Sequence, residues 1–204
     1  MLTIYRTTEK GLTVVNEVVS GCWINLIDPT TDEIERVANL GVPQDFLTYP
    51  LDLDERSRAE KEDDGTQLIL LRIPYFQGTK VDVPYISIPL GIILKDDFLI
   101  TVCRKPNDLT LEFASNRIRG LTTAKRNRFV LRVLLANAQN FLAFVREINK
   151  ATDLLEDALN ASMRNNEVLE LLKYQKSLVY FTTALKTNEL TLVRLQRTSF
   201  FKMY

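Results

Sequence analysis

Apolar and polar positions alternate in short runs over the first 120 residues and then settle into a helical spacing. Cys22-Trp23-Ile24-Asn25-Leu26-Ile27 reads as a strand. Thr30 followed by Glu33 makes a capping box, which opens a helix predicted to end near Gly41. Pro43 suits the first turn of a short second helix through Leu47. Residues 58–62 and 67–73 flank Asp64-Gly65, a pair that tolerates the positive φ of a hairpin turn. Residues 86–94 and 98–104 flank a second turn at Asp96-Asp97, and Asp108 is placed to cap a short helix through Ser115. Strands interleaved with helices, joined by hairpins and crossovers alike, predict a layered α/β domain with a mixed sheet.

Beyond residue 120 the period changes. Leu131, Leu134, Ala138, Phe141, Val145, Ile148, Thr152, Leu155 and Leu159 recur at steps of three and four, as do Leu171, Tyr174, Leu178, Phe181, Leu185, Asn188, Leu192 and Leu195. This spacing predicts two long antiparallel helices, roughly 122–159 and 167–204, with the turn in the asparagine-rich stretch 160–166. Their stripes must be buried on each other, on the sheet or on another subunit. Asn188 in the second stripe either fixes register in an oligomer or sits partly solvated near a frayed end.

Composition sharpens the boundary. All seven glycines and all seven prolines lie at or before Gly120, so residues 1–120 are expected to be the mixed α/β domain and 121–204 the helices that pack on it. Charge divides at the same place: 13 basic and 19 acidic side chains in front, 13 basic and 7 acidic behind, for a formal net charge of zero. No global field remains to hold nucleic acid or an anionic membrane. Histidine is absent, which removes His-based nucleophilic triads, His-ligated zinc and imidazole proton shuttles. Cys22 and Cys103 stand singly in apolar runs and read as small buried hydrophobes of a reducing compartment. No basic start followed by a long apolar run appears, and residues 85–94 are too few to span a bilayer, so a soluble intracellular polypeptide is expected.

Several segments together carry a resemblance: Trp23-Ile24-Asn25-Leu26-Ile27-Asp28-Pro29-Thr30 before a helix, Asp54-Glu55-Arg56-Ser57-Arg58-Ala59-Glu60 before a hairpin, Gln67 to Arg72, Ile92-Ile93-Leu94, Leu99-Ile100-Thr101-Val102, and the helical tail with Leu154-Leu155-Glu156-Asp157. In order and spacing this set resembles the cytoplasmic domain of the CorA family of magnesium channels. The resemblance implies an α-β-α sandwich with a mixed sheet, followed by long antiparallel helices leading into a stalk. It further implies a homopentamer anchored by two transmembrane helices with a Gly-Met-Asn signature, at the cytoplasmic face of the membrane. Neither the helices nor the signature occurs in these 204 residues, so this polypeptide alone is not expected to transport. The family's magnesium-sensing members place acidic residues on subunit faces, and their usual Glu-Asp pair appears in this sequence as Thr48-Tyr49. The nearest acids are Asp52, Asp54 and Glu55, and Asp52 and Asp54 are the expected metal ligands, for regulatory Mg²⁺ bound weakly by one chain. The other reading of this run is a solvated or turn-capping face, and Glu60, Glu62, Asp63 and Asp64 read as solvated hairpin residues.

Arg117, Arg119, Lys125, Arg126, Arg128 and Arg132 form a basic stretch with no acid between Glu112 and Glu147. It suits phosphates, an acidic neighbouring subunit or solvent; nucleic acid is not expected, since Phe129 is the one interleaved aromatic. The glycines are too widely spaced for a phosphate-binding loop, and no carboxylate pair stands out as catalytic, so a non-enzymatic regulatory and assembly module is expected. The alternatives are the same domain from a zinc-transporting relative, or a free-standing helical scaffold.

Overall fold

The computed structural model describes residues 1–161, 165–197 and 200, with the side chains of 160, 161 and 165 left aside. Seven strands form one sheet in the order β2-β1-β3-β7-β6-β5-β4: β1 Leu2–Thr8, β2 Gly11–Val15, β3 Cys22–Ile27, β4 Arg58–Lys61, β5 Gln67–Phe76, β6 Tyr85–Lys95 and β7 Phe98–Cys103. Among the described residues only β3 and β7 pair in parallel, so the sheet is mixed. These two strands occupy its centre and are apolar at nearly every position because both faces are covered. The predicted turns are present, with Gly65 at φ +87° and Asp96 at φ +44°. The β1–β2 hairpin was not anticipated: its pattern is half-buried and polar, with no apolar run to mark it.

Alternation along each strand divides the core in two. On one face Ile24, Leu26, Leu68, Leu70, Ile93, Ile100 and Val102 pack under α1 (Thr31–Ala38) and α2 (Gln44–Thr48). On the other, Trp23, Ile69, Leu71, Leu90, Ile92 and Leu99 meet α3 (Asp108–Ala114), α4 (Arg126–Ala161) and α5 (Asn165–Arg197). The result is the expected α-β-α sandwich. Thr30 and Glu33 complete the capping box of α1, whereas α3 is capped by Asn107, whose side chain accepts from the Thr110 N–H at 2.9 Å, rather than by Asp108. A backbone Asn107 in extended conformation leaves its carboxamide free to reach the first turn, which Asp108, already helical, cannot do.

The long helices are antiparallel as predicted, but α4 starts at Arg126, and Phe200 lies outside α5. Residues 121–125 are held by a reciprocal pair instead: Thr7 N–H donates to Thr123 Oγ1 at 3.1 Å and Thr123 N–H to Thr7 Oγ1 at 3.0 Å. Residues 198, 199 and 201–204 of the predicted second helix, and 162–164 of the predicted turn, lie outside the described residues. The predicted stripes are buried only in part: Phe141, Ile148, Phe181, Asn188 and Leu195 lie inside, and other positions do not. Leu131 and Ala138 are exposed while Phe129, Val130, Val133 and Ala136 are buried; in α5, Ser177, Ala184 and Thr191 are buried in place of Leu178, Leu185 and Leu192. The first half of α4 and the second half of α5 face the sheet, so the face they bury is rotated from a two-helix seam. Phe141, Ile148 and Phe181 do meet between the helices as expected, packed against Tyr85 of β6. By length and composition alone, α4 is apolar enough over Arg126–Leu159 to cross a membrane; in this fold part of its apolar surface lies on the sheet and on α5, while Leu131, Leu135, Leu142 and Leu154 are exposed.

Candidate functional site

A single 3-10 turn, Tyr49–Leu51, follows α2 and leads into the loop 52–57 before β4. Pro50 is seated on Gly91 of β6, where the missing side chain leaves room: a Cβ on Gly91 would stand 2.3 Å from Pro50 Cγ. That contact fixes where the loop starts. Asp52 N–H donates to the Tyr49 carbonyl at 3.2 Å, and Asp52 Oδ1 accepts from Asp54 N–H at 3.0 Å. Asp52 and Asp54 are both exposed and share this loop. Thr48 Oγ1 donates to the Asp45 carbonyl at 3.3 Å, and the Tyr49 ring carries the Arg58 guanidinium 4.6 Å from its centroid. Glu55 and Glu60 both pair with Arg58. Asp64 pairs with Lys95 at 2.8 Å and accepts from Thr66 N–H, which holds its carboxyl well below the usual range. Glu60 and Asp64 are therefore partnered rather than simply solvated.

Arg72, not singled out by sequence reasoning, lies behind the loop. Its Nη1 donates to the carbonyls of Leu53 at 2.6 Å and Glu55 at 2.9 Å, and its Nε donates to Ser87 Oγ at 3.1 Å, with Nη2 on the Ser87 carbonyl. Burial lowers its pKa from the ordinary guanidinium value, against the opposing pull of Asp54 and Asp52. Its main chain is held by α5 and α4: Asn188 Oδ1 accepts from Arg72 N–H at 2.9 Å, and Arg72 C=O accepts from Asn188 Nδ2 at 2.8 Å and Asn137 Nδ2 at 3.1 Å. Ser57 Oγ accepts from Arg72 N–H at 3.1 Å and donates to Asn188 Oδ1 at 2.6 Å. Asn188 is buried and bonded within its own chain; neither role expected of it in the sequence is the one it plays. A charged residue inside the apolar run Leu68 to Ile73 was the signal that could have found Arg72.

Loop, Arg72 and α5 border a groove of about 480 Å³ lined by Asp54, Arg56, Ser87, Tyr180, Thr183 and Thr187 among others. The donor set suits a hard cation that keeps most of its water, because the two exposed carboxylates have free oxygens but one chain builds no cage. Among the described residues no three Asp, Glu, Cys or His side chains converge on one point. The basic stretch lies apart, over the approach to α4 and its first turns, with Arg117, Arg119, Lys125 and Arg128 exposed. Cys22 and Cys103 are buried free thiols on opposite faces of the sheet, and burial pushes Cys103 up to about 11.

Fold and loop together define a class: a three-layer sandwich domain that ties a surface loop of carboxylates to a pair of long helices. The chain belongs to the family of CorA-like Mg²⁺ transporter proteins, whose model matches residues 20–203. The cobalt/magnesium transport protein CorA of Methanocaldococcus jannaschii is 27% identical over 185 residues, covering 86% of this chain and 55% of that protein. The chain thus spans about half the length of this curated relative. Among solved structures, the complete CorA magnesium transporter of the same organism matches with a TM-score of 0.83 at 20% identity, over 97% of this chain and 63% of that one. The soluble domain of that CorA matches at 0.82 and 22% identity over 97% and 80%. The ZntB cytoplasmic domain of Vibrio parahaemolyticus matches at 0.72 and 13% identity over 97% and 79%. These structural likenesses establish a shared fold.

Proposed function

We propose that this chain is the soluble regulatory and assembly domain of a CorA-type channel for Mg²⁺ or a similar divalent cation, at the cytoplasmic face of the membrane, and that it performs no catalysis. The family match over nearly the whole chain carries this reading, and the fold shared with the CorA soluble domain supports it. In the full protein, membrane helices beyond these residues conduct the ion and five copies assemble. Asp52 and Asp54 on one subunit then meet a carboxylate of a neighbour across a hydrated Mg²⁺. Regulation is linkage: the cation favours the closed arrangement by the difference between its affinities for the closed and open states. One chain supplies two carboxylates at most, so a single copy binds weakly. At a millimolar dissociation constant in millimolar Mg²⁺, binding adds only about 0.4 kcal/mol.

The test is transport by the full-length protein under rising internal Mg²⁺. Asp52→Asn with Asp54→Asn is expected to leave the fold intact and to relieve inhibition. Unchanged inhibition in that double variant would remove the two aspartates from the reading.

A further inference from the structure

We propose that the end of the sheet reached by the β1–β2, β4–β5 and β6–β7 turns is a contact surface for a second copy of this chain, with a basic half and an acidic half that two copies match across a two-fold axis. Strand directions put the pieces there. β1, β4 and β6 end where β3, β5 and β7 begin, so the three turns and the entry to β3 share one end of the sheet. The stretch leading into α4 is tied to the same end: Leu12 N–H donates to Asn116 Oδ1 at 3.0 Å, and Thr7 and Thr123 exchange hydrogen bonds. That stretch carries Arg117, Arg119, Lys125 and Arg128, all exposed, and Arg6 of β1 is exposed one residue before Thr7. On the other side, the β4–β5 and β6–β7 turns carry Glu62, Asp63, Asp96 and Asp97, also exposed. The loop 52–57 lies at the opposite end of β4 and takes no part.

The two halves meet at Gly21. Its N–H donates to the Asp97 carbonyl at 2.9 Å, and a Cβ added to it would stand 3.1 Å from the Cβ of Ala124, the residue before Lys125. No ion pair among the described residues joins the halves: Lys95 takes Asp64 at 2.8 Å, and none of the exposed charges just named is in an ion pair. Glu9 and Lys61 are minority charges in their halves, and Lys10 stands next to Glu9. Cations around the start of α4 also oppose the positive end of its dipole, with no acid in the first turn. This arrangement costs the fold stability, and an acidic surface from outside the chain offsets the cost. A second copy supplies that surface. A half-turn about an axis through the boundary lays each basic half on the other copy's acidic half, the self-complementarity that an isologous contact requires. The formal net charge of zero leaves no overall repulsion between copies to oppose it. Exposed ion pairs are individually weak and are screened beyond about 10 Å at 0.1 M salt, so the contact is weak and salt-sensitive.

Sedimentation equilibrium of this chain at a few hundred micromolar tests the contact. The average mass is expected to rise toward that of two chains at about 0.02 M salt and to return to one chain at about 0.3 M. Arg119→Glu with Arg128→Glu, and separately Asp63→Lys with Asp97→Lys, are each expected to weaken the low-salt association by about tenfold or more. An equal mixture of the two double variants is expected to regain it, because the reversed halves fit each other. All four positions are exposed, and circular dichroism checks each fold. Should a reversal misfold, the neutral Gln or Asn substitutions at the same positions serve, with loss of association as the expected result. A parent chain that stays single at low salt, variants that associate as the parent does, a mixture that fails to recover, or growth beyond two chains overturns the proposal. A parent chain that stays single yet is retained on a polyphosphate matrix through Arg119 and Arg128 assigns the basic half to a polyanion and overturns it as well.

Discussion

At Gly91 the main chain of β6 passes under Pro50 with no room for a methyl group. Glycine serves here through its lack of bulk, in the middle of a strand where it would otherwise weaken packing. Gly91→Ala must push the Tyr49–Leu51 turn off the sheet and is expected to cost about 1–3 kcal/mol, as overpacked cores do. Urea unfolding against the parent chain measures it, and an unchanged midpoint would contradict the contact. Around Arg72 the balance is different. A charge inside an apolar strand is tolerated because its donors are matched to carbonyls and a hydroxyl and Asp52 and Asp54 stand nearby. Asp52 and Asp54 were legible in the sequence as an acidic run after an apolar turn, a pattern that shows itself in one dimension, and both are exposed on one loop. Arg72 and Asn188 lie 116 residues apart, and nothing along the chain announces that one will complete the other's hydrogen bonds.

The two long helices were legible as elements, and their stripes were legible in part: Phe141, Ile148, Phe181, Asn188 and Leu195 are buried as the spacing predicts. Heptad leucines suggested a seam, yet Leu178, Leu185 and Leu192 are 36, 41 and 39% exposed while Ser177, Ala184 and Thr191 lie inside. Small residues bury themselves where α5 approaches the sheet closely; the leucines flank that contact. Truncation should therefore discriminate between the stripes. Phe181→Ala, which removes a ring packed edge-on against Phe141 at 5.1 Å and against Tyr85, is expected to cost about 3–5 kcal/mol. Leu185→Gln, on the exposed stripe, is expected to stay within about 0.5 kcal/mol. Thermal or urea melts of the two variants rank them, and equal losses would restore the predicted seam.

For the molecule as a whole, the leucine stripe of α5, the leucines Leu131, Leu135 and Leu142 of α4 and the acidic loop are all exposed among the described residues. The chain covers 63% of the complete transporter it resembles in fold. The isolated chain is expected to be monomeric or weakly self-associated. Sedimentation at micromolar concentration measures this, and a tight pentamer of the isolated chain would contradict it.

Most element types from β3 onward came from the sequence alone, because capping boxes, Asp-Gly turns and the confinement of Gly and Pro to the first 120 residues are local chemistry acting over a few residues. Family membership was legible for a related reason: the order and spacing of short segments survive in one dimension. The β1–β2 hairpin was silent because its partly exposed residues carry no apolar alternation, and it exists through its pairing with β3. Only the tertiary structure decided which faces of α4 and α5 turn inward, since helices of one period can bury several stripes and the sheet selects among them. It alone placed Arg72 beneath the loop and Asn188 at the open edge of β5, because hydrogen bonds between distant residues depend on where the fold carries them.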